Sequence, residues 1–245
     1  MKHSWPIIWL NELDSTNNYA NSLVAENKLN TETVISTYAQ NKGRGQKGNL
    51  WESEPNLNIT TTVVLYTKYL SIENQFALSQ SAALAIKDMF SNFNINAKVK
   101  WPNDIFVNNY KIAGILIENS IIGSSFSHSC IGIGINTNQT NFGEFLPKAT
   151  SMKIVKNLNY NIHEVLETLL NCLNLRLSQL KEKKFDDLNR DYIANLYQFG
   201  EWCTYKSNEK IFKGKIINVG KHGELVILSD KGEQHSYLFK EVSFL

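Results

Sequence analysis

Three ionisable side chains stand where chemistry on an anion would need them: Arg44 in the loop GRGQKG (43–48), Asp104 in KWPNDI (100–105) and Lys111 at the head of KIAGILIE (111–118). Of 25 Lys and Arg residues only three are Arg, so the planar, bidentate cation is kept for few places, and Arg44 is one of them. The loop matches the spacing GxGxxG. The dinucleotide reading fails, because the NLWESEPNLN that follows cannot open a helix and no acidic residue stands ~20 positions on. A Walker-type phosphate loop fails as well, since Gly48 is followed by Asn49 and Leu50 rather than Lys and Ser or Thr. What survives is physical. Gly43, Gly45 and Gly48 let backbone N–H groups converge on an anion, and Arg44 and Lys47 add positive charge. Taken alone, the segment fits a mobile surface loop equally well.

The other polar segments are as ambiguous singly. DSTNNYA (14–20) reads as a helix start capped by Ser15 or Thr16. It also reads as a cluster of hydroxyls and amides suited to a polar, uncharged ligand. In KWPNDI, Pro102 ends a strand ladder, and Asn103 and Asp104 favour a turn closed by their own side chains. In KIAGILIE the apolar positions are ordinary strand core, and Lys111 by itself is a solvated first residue of a strand. Gly114 inside that strand points to close approach by a ligand or another backbone. GIGIN (132–136) repeats the hint, with Gly132 and Gly134 thinning one face and Asn136 at its end.

The elements that must position these residues follow from periodicity. Segments 7–14 and 33–39 read as strands with a helix between them opening at Ser15, and 40–58 reads as a long loop. The β-branched run 60–66 is the next strand, and 75–91 has helical spacing of apolar residues. Segments 98–101, 105–107, 111–118 and 129–136 follow as closely spaced strands, with a hairpin turn at Asn108 and Asn109. A second polar loop covers 137–150. Helices are expected at 162–180, an amphipathic stretch, and at 185–196. From Gly200 the texture changes to short alternating strands punctuated by glycine, a β unit of ~45 residues too small to stand alone. The expectation is an α+β fold, with a domain at 1–197 and a small all-β unit at 198–245 docked on it.

Composition narrows the classes of function. The 245 residues are 42% hydrophobic and 20% charged, enough to bury a core and too little charge for wholesale disorder. A net charge of +2 is far from the profile of a dedicated nucleic-acid binder. No apolar run approaches the ~18 residues of a membrane span, and the first fourteen residues lack a signal-peptide core. Cys130, Cys172 and Cys203 are odd in number and far apart, and read as reduced cytoplasmic thiols, mostly buried. The five histidines form no HxxH or HxxxH pair, which argues against zinc.

Taken together, STN at 15–17, Gln40, GRG at 43–45 with Trp51, KWPND at 100–104, KIAGILIE at 111–118 and GIGIN at 132–136 have the order and spacing of the biotin–protein ligases. The chain resembles that family over essentially its whole length. ATS at 149–151 resembles a later loop of the family, and the stretch from Gly214 to Val242 resembles its small SH3-like C-terminal domain. The resemblance implies a class II synthetase-like catalytic domain with a mixed, largely antiparallel sheet flanked by helices. It implies activation of biotin with Mg-ATP to biotinyl-5′-AMP, then transfer to one lysine of a carboxylase's biotin carboxyl carrier domain.

By the same resemblance Arg44 and Lys111 are the cationic clamp, and Asp104 orients or deprotonates the incoming lysine. Ser15, Thr16, Asn17 and Gln40 meet biotin's ureido ring. Gly43, Arg44, Gly45, Gln46 and Lys111 also fall on the biotin side, while Gly114, Gly132 and Gly134 leave room for its thin body. Arg44, Lys47, Trp51, Asn103, Lys111 and Asn136 fall to ATP, with Asn103 toward magnesium through the nucleotide. Two departures stand out: Gln46 occupies the place of an arginine in the family's GRGR, and EVSFL (241–245) lacks an arginine that some members carry near the nucleotide. Some relatives also carry an N-terminal DNA-binding domain. With the first strand beginning at about Ile7, no specific DNA binding is expected, nor a membrane partner. The oligomeric state, monomer or homodimer, is left open. Two other readings compete. A catalytically silent biotin-binding protein would require loss of Arg44, Asp104 or Lys111. A lipoate or octanoate ligase shares the KxxG element but carries a glycine-rich loop with arginines and a histidine that this chain lacks.

Overall fold

The computed structural model describes residues 2–123, 125–143 and 148–245, the side chain of Lys47 excepted. Strand β1 (Ile7–Leu13) leads into helix α1 (Thr16–Ala25), and β2 (Thr33–Gln40) returns parallel to β1. Ser15 caps α1, accepting a long hydrogen bond of 3.5 Å from the Asn18 amide. Strand β3 (Ile59–Leu65) is buried at every position, as its β-branched run ITTTVVL suits. After helix α2 (Gln75–Asn92) come β4 (Lys98–Lys100), β5 (Asp104–Val107), β6 (Tyr110–Ile122) and β7 (Ser125–Ile135). Helices α3 (Met152–Lys156), α4 (Ile162–Lys181) and α5 (Phe185–Ala194) follow.

Seven strands form one sheet in the order β1-β2-β3-β7-β6-β5-β4, parallel only between β1 and β2. Helices α2 and α4 pack on each other, with α5 against both. Leu166, Leu169, Leu170, Leu173 and Leu177 of α4 are buried, so its apolar stripe faces the core. Each such leucine contributes about 1.5–3 kcal/mol by leaving water. Helix α1 lies against β3, β7 and β2. This mixed sheet with flanking helices bears out the expected α+β class.

The second sheet is antiparallel, with order β11-β10-β9-β8-β12: β8 (Cys203–Ser207), β9 (Lys210–Val219), β10 (Leu225–Ser229), β11 (Gln234–Tyr237) and β12 (Ser243–Phe244). Its Tyr205, Ile216, Val219, Leu225, Ile227 and Val242 belong to the same apolar cluster as the main core. Trp101 Nε1 donates to the Gly223 carbonyl at 2.8 Å, a direct tie between the two sheets. Among the described residues no helix is long and apolar enough to cross a membrane.

Several elements differ from the sequence expectation. Strand β6 runs past Glu118 to Ile122 and β7 starts at Ser125, because the two pair as a long hairpin through a polar stretch with no alternation. Lys111 is the second residue of β6, after Tyr110. Helix α3 falls just after the loop expected to end at 150, and α5 stops two residues before 196. A single 3-10 turn, Gln46–Gly48, interrupts the loop of 40–58.

Candidate active site

The sheet's thin place lies where two neighbouring strands put glycines side by side. Gly114 of β6 is paired with Gly134 of β7, and Leu116 with Gly132. At Gly114, Gly132 and Gly134 the sheet therefore carries no side chain on this face, and a cavity of about 200 Å³ opens above them, with Leu116 in its wall. Ser15, Thr16, Asn17, Gln40, Arg44, Gly45, Gln46, Trp51, Asn103, Asp104, Lys111, Gly114, Gly132 and Gly134 all line this cleft. Residues more than a hundred positions apart are thus brought together.

Helix α1 delivers one end. Ser15, Thr16 and Asn17 are buried at its first turn, the Cβ-less Gly132 making room for the Asn17 amide. Gln40 Oε1 accepts from the Thr16 amide at 2.9 Å. The Thr62 hydroxyl lies 2.8 Å from Thr16 Oγ1 and 2.6 Å from Asn17 Oδ1. An amide oxygen only accepts, so the Thr62 proton points at Asn17. Asn17 Nδ2 donates to Glu118 Oε2 at 2.8 Å and to the Leu116 carbonyl at 3.3 Å. Every group here is neutral except Glu118, and all are held by one another, an arrangement suited to matching the donors and acceptors of a polar, uncharged head group.

The glycine-rich loop and β6 deliver the cations. The loop folds on itself through Trp51 N to Gly43 O (2.9 Å) and Gly45 N to Asn49 O (2.7 Å). Arg44 is held by Asn18 Oδ1 and, at 2.5 Å, by Glu118 Oε1. Lys111 Nζ sits 2.6 Å from Asp104 Oδ1 and 5.6 Å from the centre of the Trp51 ring. Its backbone is fixed on both sides, its N–H donating to Lys148 O and its carbonyl accepting from Thr150 N. Lys100, next to Asp104 across the β4–β5 ladder, is pushed below the usual lysine pKa by burial, against the opposing pull of Asp104. Burial, reinforced by the charge of Glu118, pushes the Cys130 thiol up to about 12, so it is inert at neutral pH.

Trp51 lies over the glycine strip. A Cβ on Gly134 would collide with its indole, and one on Gly114 would stand 3.0 Å from its ring. Its Nε1, and Oε1 of Gln46 in the same loop, are buried without a hydrogen-bond partner. Three residues read from the sequence do not reach the cleft wall in the same way. Gly43 packs under the Trp51 carbonyl, where a Cβ would clash. Asn136 is buried, with its Nδ2 donating to Thr150 O at 3.0 Å and its carbonyl accepting from Met152 N, so it anchors the 149–151 segment beside Lys111. The Lys47 side chain lies outside what the structure describes. Asn103 does line the cleft, with Nδ2 donating to Ile115 O.

Sequence reasoning missed Asn18, Asn49, Leu50, Thr60, Thr61, Thr62, Glu118 and Phe239. Glu118 carried a usable signal: counting by twos along β6 from Gly114 gives Leu116 and Glu118 on the same face. Phe239 arrives from the connection between β11 and β12 of the second sheet and is invisible to local pattern. A neighbouring cavity of about 690 Å³, between α2, 101–103 and 238–241, shares Gln46, Pro102, Asn103, Ile115, Leu116 and Phe239 with the first.

A glycine-floored slot with a hydrogen-bonding cluster at one end, Lys111 at the other and Arg44 on the loop that covers it defines an enzyme site for a slim ligand that pairs an uncharged head with an anionic tail. The sequence pattern of the Biotin/lipoate A/B protein ligase family matches residues 9–136, and the chain belongs to that family. It is similar to the bifunctional ligase/repressor BirA of Bacillus spizizenii, 25% identical over 235 residues that cover 94% of this chain and 72% of that one. It is also similar to the biotin–[acetyl-CoA-carboxylase] ligase of Paracoccus denitrificans, 27% identical over 228 residues covering 90% and 93%. Among solved structures, the biotin protein ligase of Aquifex aeolicus in complex with biotin and ATP superposes with a TM-score of 0.82 at 26% identity, over 98% of both chains.

Proposed function

We propose that the protein joins biotin to ATP as biotinyl-5′-AMP and passes the biotinyl group to a lysine of a biotin carboxyl carrier domain. The observation that carries this reading is the glycine-floored slot with Lys111 Nζ beside Gly114 at one end and Asn17 beside Gly132 at the other, and Arg44 of the covering loop held next to Asn17 by Asn18 and Glu118. In the first step a carboxylate oxygen of biotin attacks the α-phosphorus, and the bond to pyrophosphate breaks. Two anions must approach, and Arg44 and Lys111 offset their repulsion in a partly dry site. Ser15, Thr16, Asn17 and Gln40 take the ureido ring, and the strip over Gly114, Gly132 and Gly134 takes the thin bicycle once Trp51 moves aside. Gly43 and Gly45 shape the loop that carries Arg44, Gln46 and Lys47, and Trp51 moves with it toward the nucleotide.

In the second step the lysine Nε attacks the acyl carbon, AMP leaves with the bonding electrons, and the ammonium's proton goes to Asp104. Asp104 also holds Lys111, so the same carboxylate serves both half-reactions. Among the described residues no cluster of three His, Cys, Asp or Glu side chains could cage a metal. Asn103 would be the protein contact of a magnesium ion brought in on the nucleotide's phosphates, where the metal would supply positive charge against the pyrophosphate leaving group. Asn136 supports the nucleotide side by holding 149–151 in place. We take 1–197 as the catalytic unit with 198–245 docked on it, and propose a cytoplasmic setting, in keeping with three free cysteines. The test is incubation with biotin, Mg-ATP and a carrier domain, followed by intact mass of the carrier. A gain of one biotinyl group is the expected result. No gain, or an equal gain with lipoate, refutes the reading.

A further inference from the structure

Glu118 has no part in the roles above, yet it touches both helix α1 and the glycine-rich loop. Its Oε1 stands 2.5 Å from Arg44 Nη2, and its Oε2 accepts from Asn17 Nδ2 at 2.8 Å and Asn21 Nδ2 at 3.4 Å. It shares a face of β6 with Gly114 and Leu116, so it stands at the end of the glycine strip nearest α1. We propose that Glu118 is a positioning residue whose two carboxylate oxygens divide their work, one tethering Arg44 of the glycine-rich loop at the cleft and the other fixing the amide of Asn17. The proposal rests on reading the cleft as the biotin and ATP site.

The division follows from donor and acceptor rules. Asn17 Nδ2 is consumed by Glu118 and Leu116 O, which turns Oδ1 toward Thr62 and the gap above Gly132. The flipped amide would set its oxygen against the carboxylate. Arg44 uses Nη1 on Asn18 and Nη2 on Glu118, leaving the other N–H groups of its fork for an incoming anion. The 43–51 part of the loop closes on itself, through Trp51 N to Gly43 O, Gly45 N to Asn49 O and Asn49 N to Gln46 O, so it is the Glu118 contact that joins Arg44 to the sheet, as Asn18 joins it to α1. A tether of this kind reduces the ordering the loop must undergo at the moment of reaction.

Glu118→Gln separates the two oxygens. A glutamine keeps one acceptor for Asn17 Nδ2 and turns a donor toward the Arg44 guanidinium, so it releases Arg44 and retains Asn17. Glu118→Asp keeps the charge, and Glu118→Ala loses both contacts. The first readout needs no ligand: trypsin nicking after Arg44 in the folded protein, which a tethered arginine resists. Nicking is expected to be about tenfold faster in Glu118→Gln than in wild type, with Glu118→Asp between them.

The second readout is biotin-driven pyrophosphate–ATP exchange. Glu118→Gln is expected to lower kcat by about ten- to hundredfold, leaving the biotin KM within about threefold, whereas Glu118→Ala raises that KM as well. Equal nicking rates in wild type and Glu118→Gln, or nicking of Glu118→Asp as fast as that of Glu118→Gln, would overturn the tether. An unchanged or raised kcat in Glu118→Gln would overturn the positioning role. Absence of exchange in the wild type would sink the biotin reading alone, since nicking is scored without it.

Discussion

Replacing Lys111 by alanine removes one ammonium from the edge of the cleft, and the geometry separates its effect on stability from its effect on rate. Lys111 Nζ lies 2.6 Å from Asp104 Oδ1, with 34% and 26% of the two side chains exposed. A part-exposed pair of this sort contributes about 0–1 kcal/mol to folding once solvent screening is counted. In the proposed reaction the same ammonium faces a carboxylate and an α-phosphate that must meet. One unit charge at ~4 Å with an effective dielectric of ~20 is worth about 4 kcal/mol, or about a thousandfold in rate. Lys111→Ala should therefore unfold within a few degrees of wild type while its biotin-dependent pyrophosphate–ATP exchange falls by about three orders of magnitude. The assay is exchange at saturating biotin and Mg-ATP beside a ligand-free thermal melt. Retention of exchange within about tenfold would refute the clamp, and a stability loss of several kcal/mol would show the pair to be structural.

Asp104→Asn should slow both half-reactions, because Lys111 loses its partner. Transfer to the carrier lysine should suffer about tenfold more, since only that step has a proton to accept; equal losses in single-turnover measurements would remove the general-base role. Gly134→Ala places a methyl group where the Trp51 indole lies. The loop can yield, so the melt should change by about 1 kcal/mol or less, while biotin affinity measured calorimetrically falls at least about tenfold; unchanged affinity would mean that the strip is not the ligand's floor. Gln46→Arg should slow escape of the adenylate, because Gln46 Oε1 is buried without a partner and an arginine there adds charge beside the mixed anhydride. Biotinylation of bystander lysines on an added non-carrier protein reads the leak, and an arginine variant that leaks as fast or faster would refute it.

Much of the frame was legible because it rests on local signals. The short apolar and β-branched runs in 7–14, 33–39 and 105–118, the turn at Asn108 with its φ of 55°, and the apolar spacing of α2 and α4 each depend on a short window. Other features depend on partners far away in sequence. The parallel pairing of β1 with β2 is decided by the crossover of α1, and the far half of the β6–β7 hairpin is strand because its mate is strand. Helix α3, five residues long, is too short to show a period. In the site, the motifs named the residues but not their pairings. That Arg44 would rest on Glu118, Lys111 on Asp104, and Trp51 on the glycines depends on side-chain geometry that spacing does not encode. Asn136 shows the converse: a residue singled out by motif is occupied in holding a neighbouring loop.

Those pairings bear on how tightly and how selectively the cleft binds. Each feature that a ligand would use is already engaged by the protein itself: Arg44 by a carboxylate, Lys111 by a carboxylate, and the glycine strip by an indole. Binding is therefore an exchange of partners, and its free energy is a difference between two occupied states. The ligand-free arrangement is imperfect in one respect. Trp51 Nε1 and Gln46 Oε1 are buried with no hydrogen bond, each at a cost of about 1–3 kcal/mol. Both atoms belong to the loop that covers the strip, and both regain partners, from water or from ligand, when that loop is displaced. The unsatisfied pair thus tilts the loop toward yielding, but only to a molecule thin enough for the glycine floor and able to engage Asn17 at one end and Lys111 at the other. A ligand that matched one end alone would displace the indole without satisfying the other end. The self-occupied cleft consequently discriminates by requiring both matches at once.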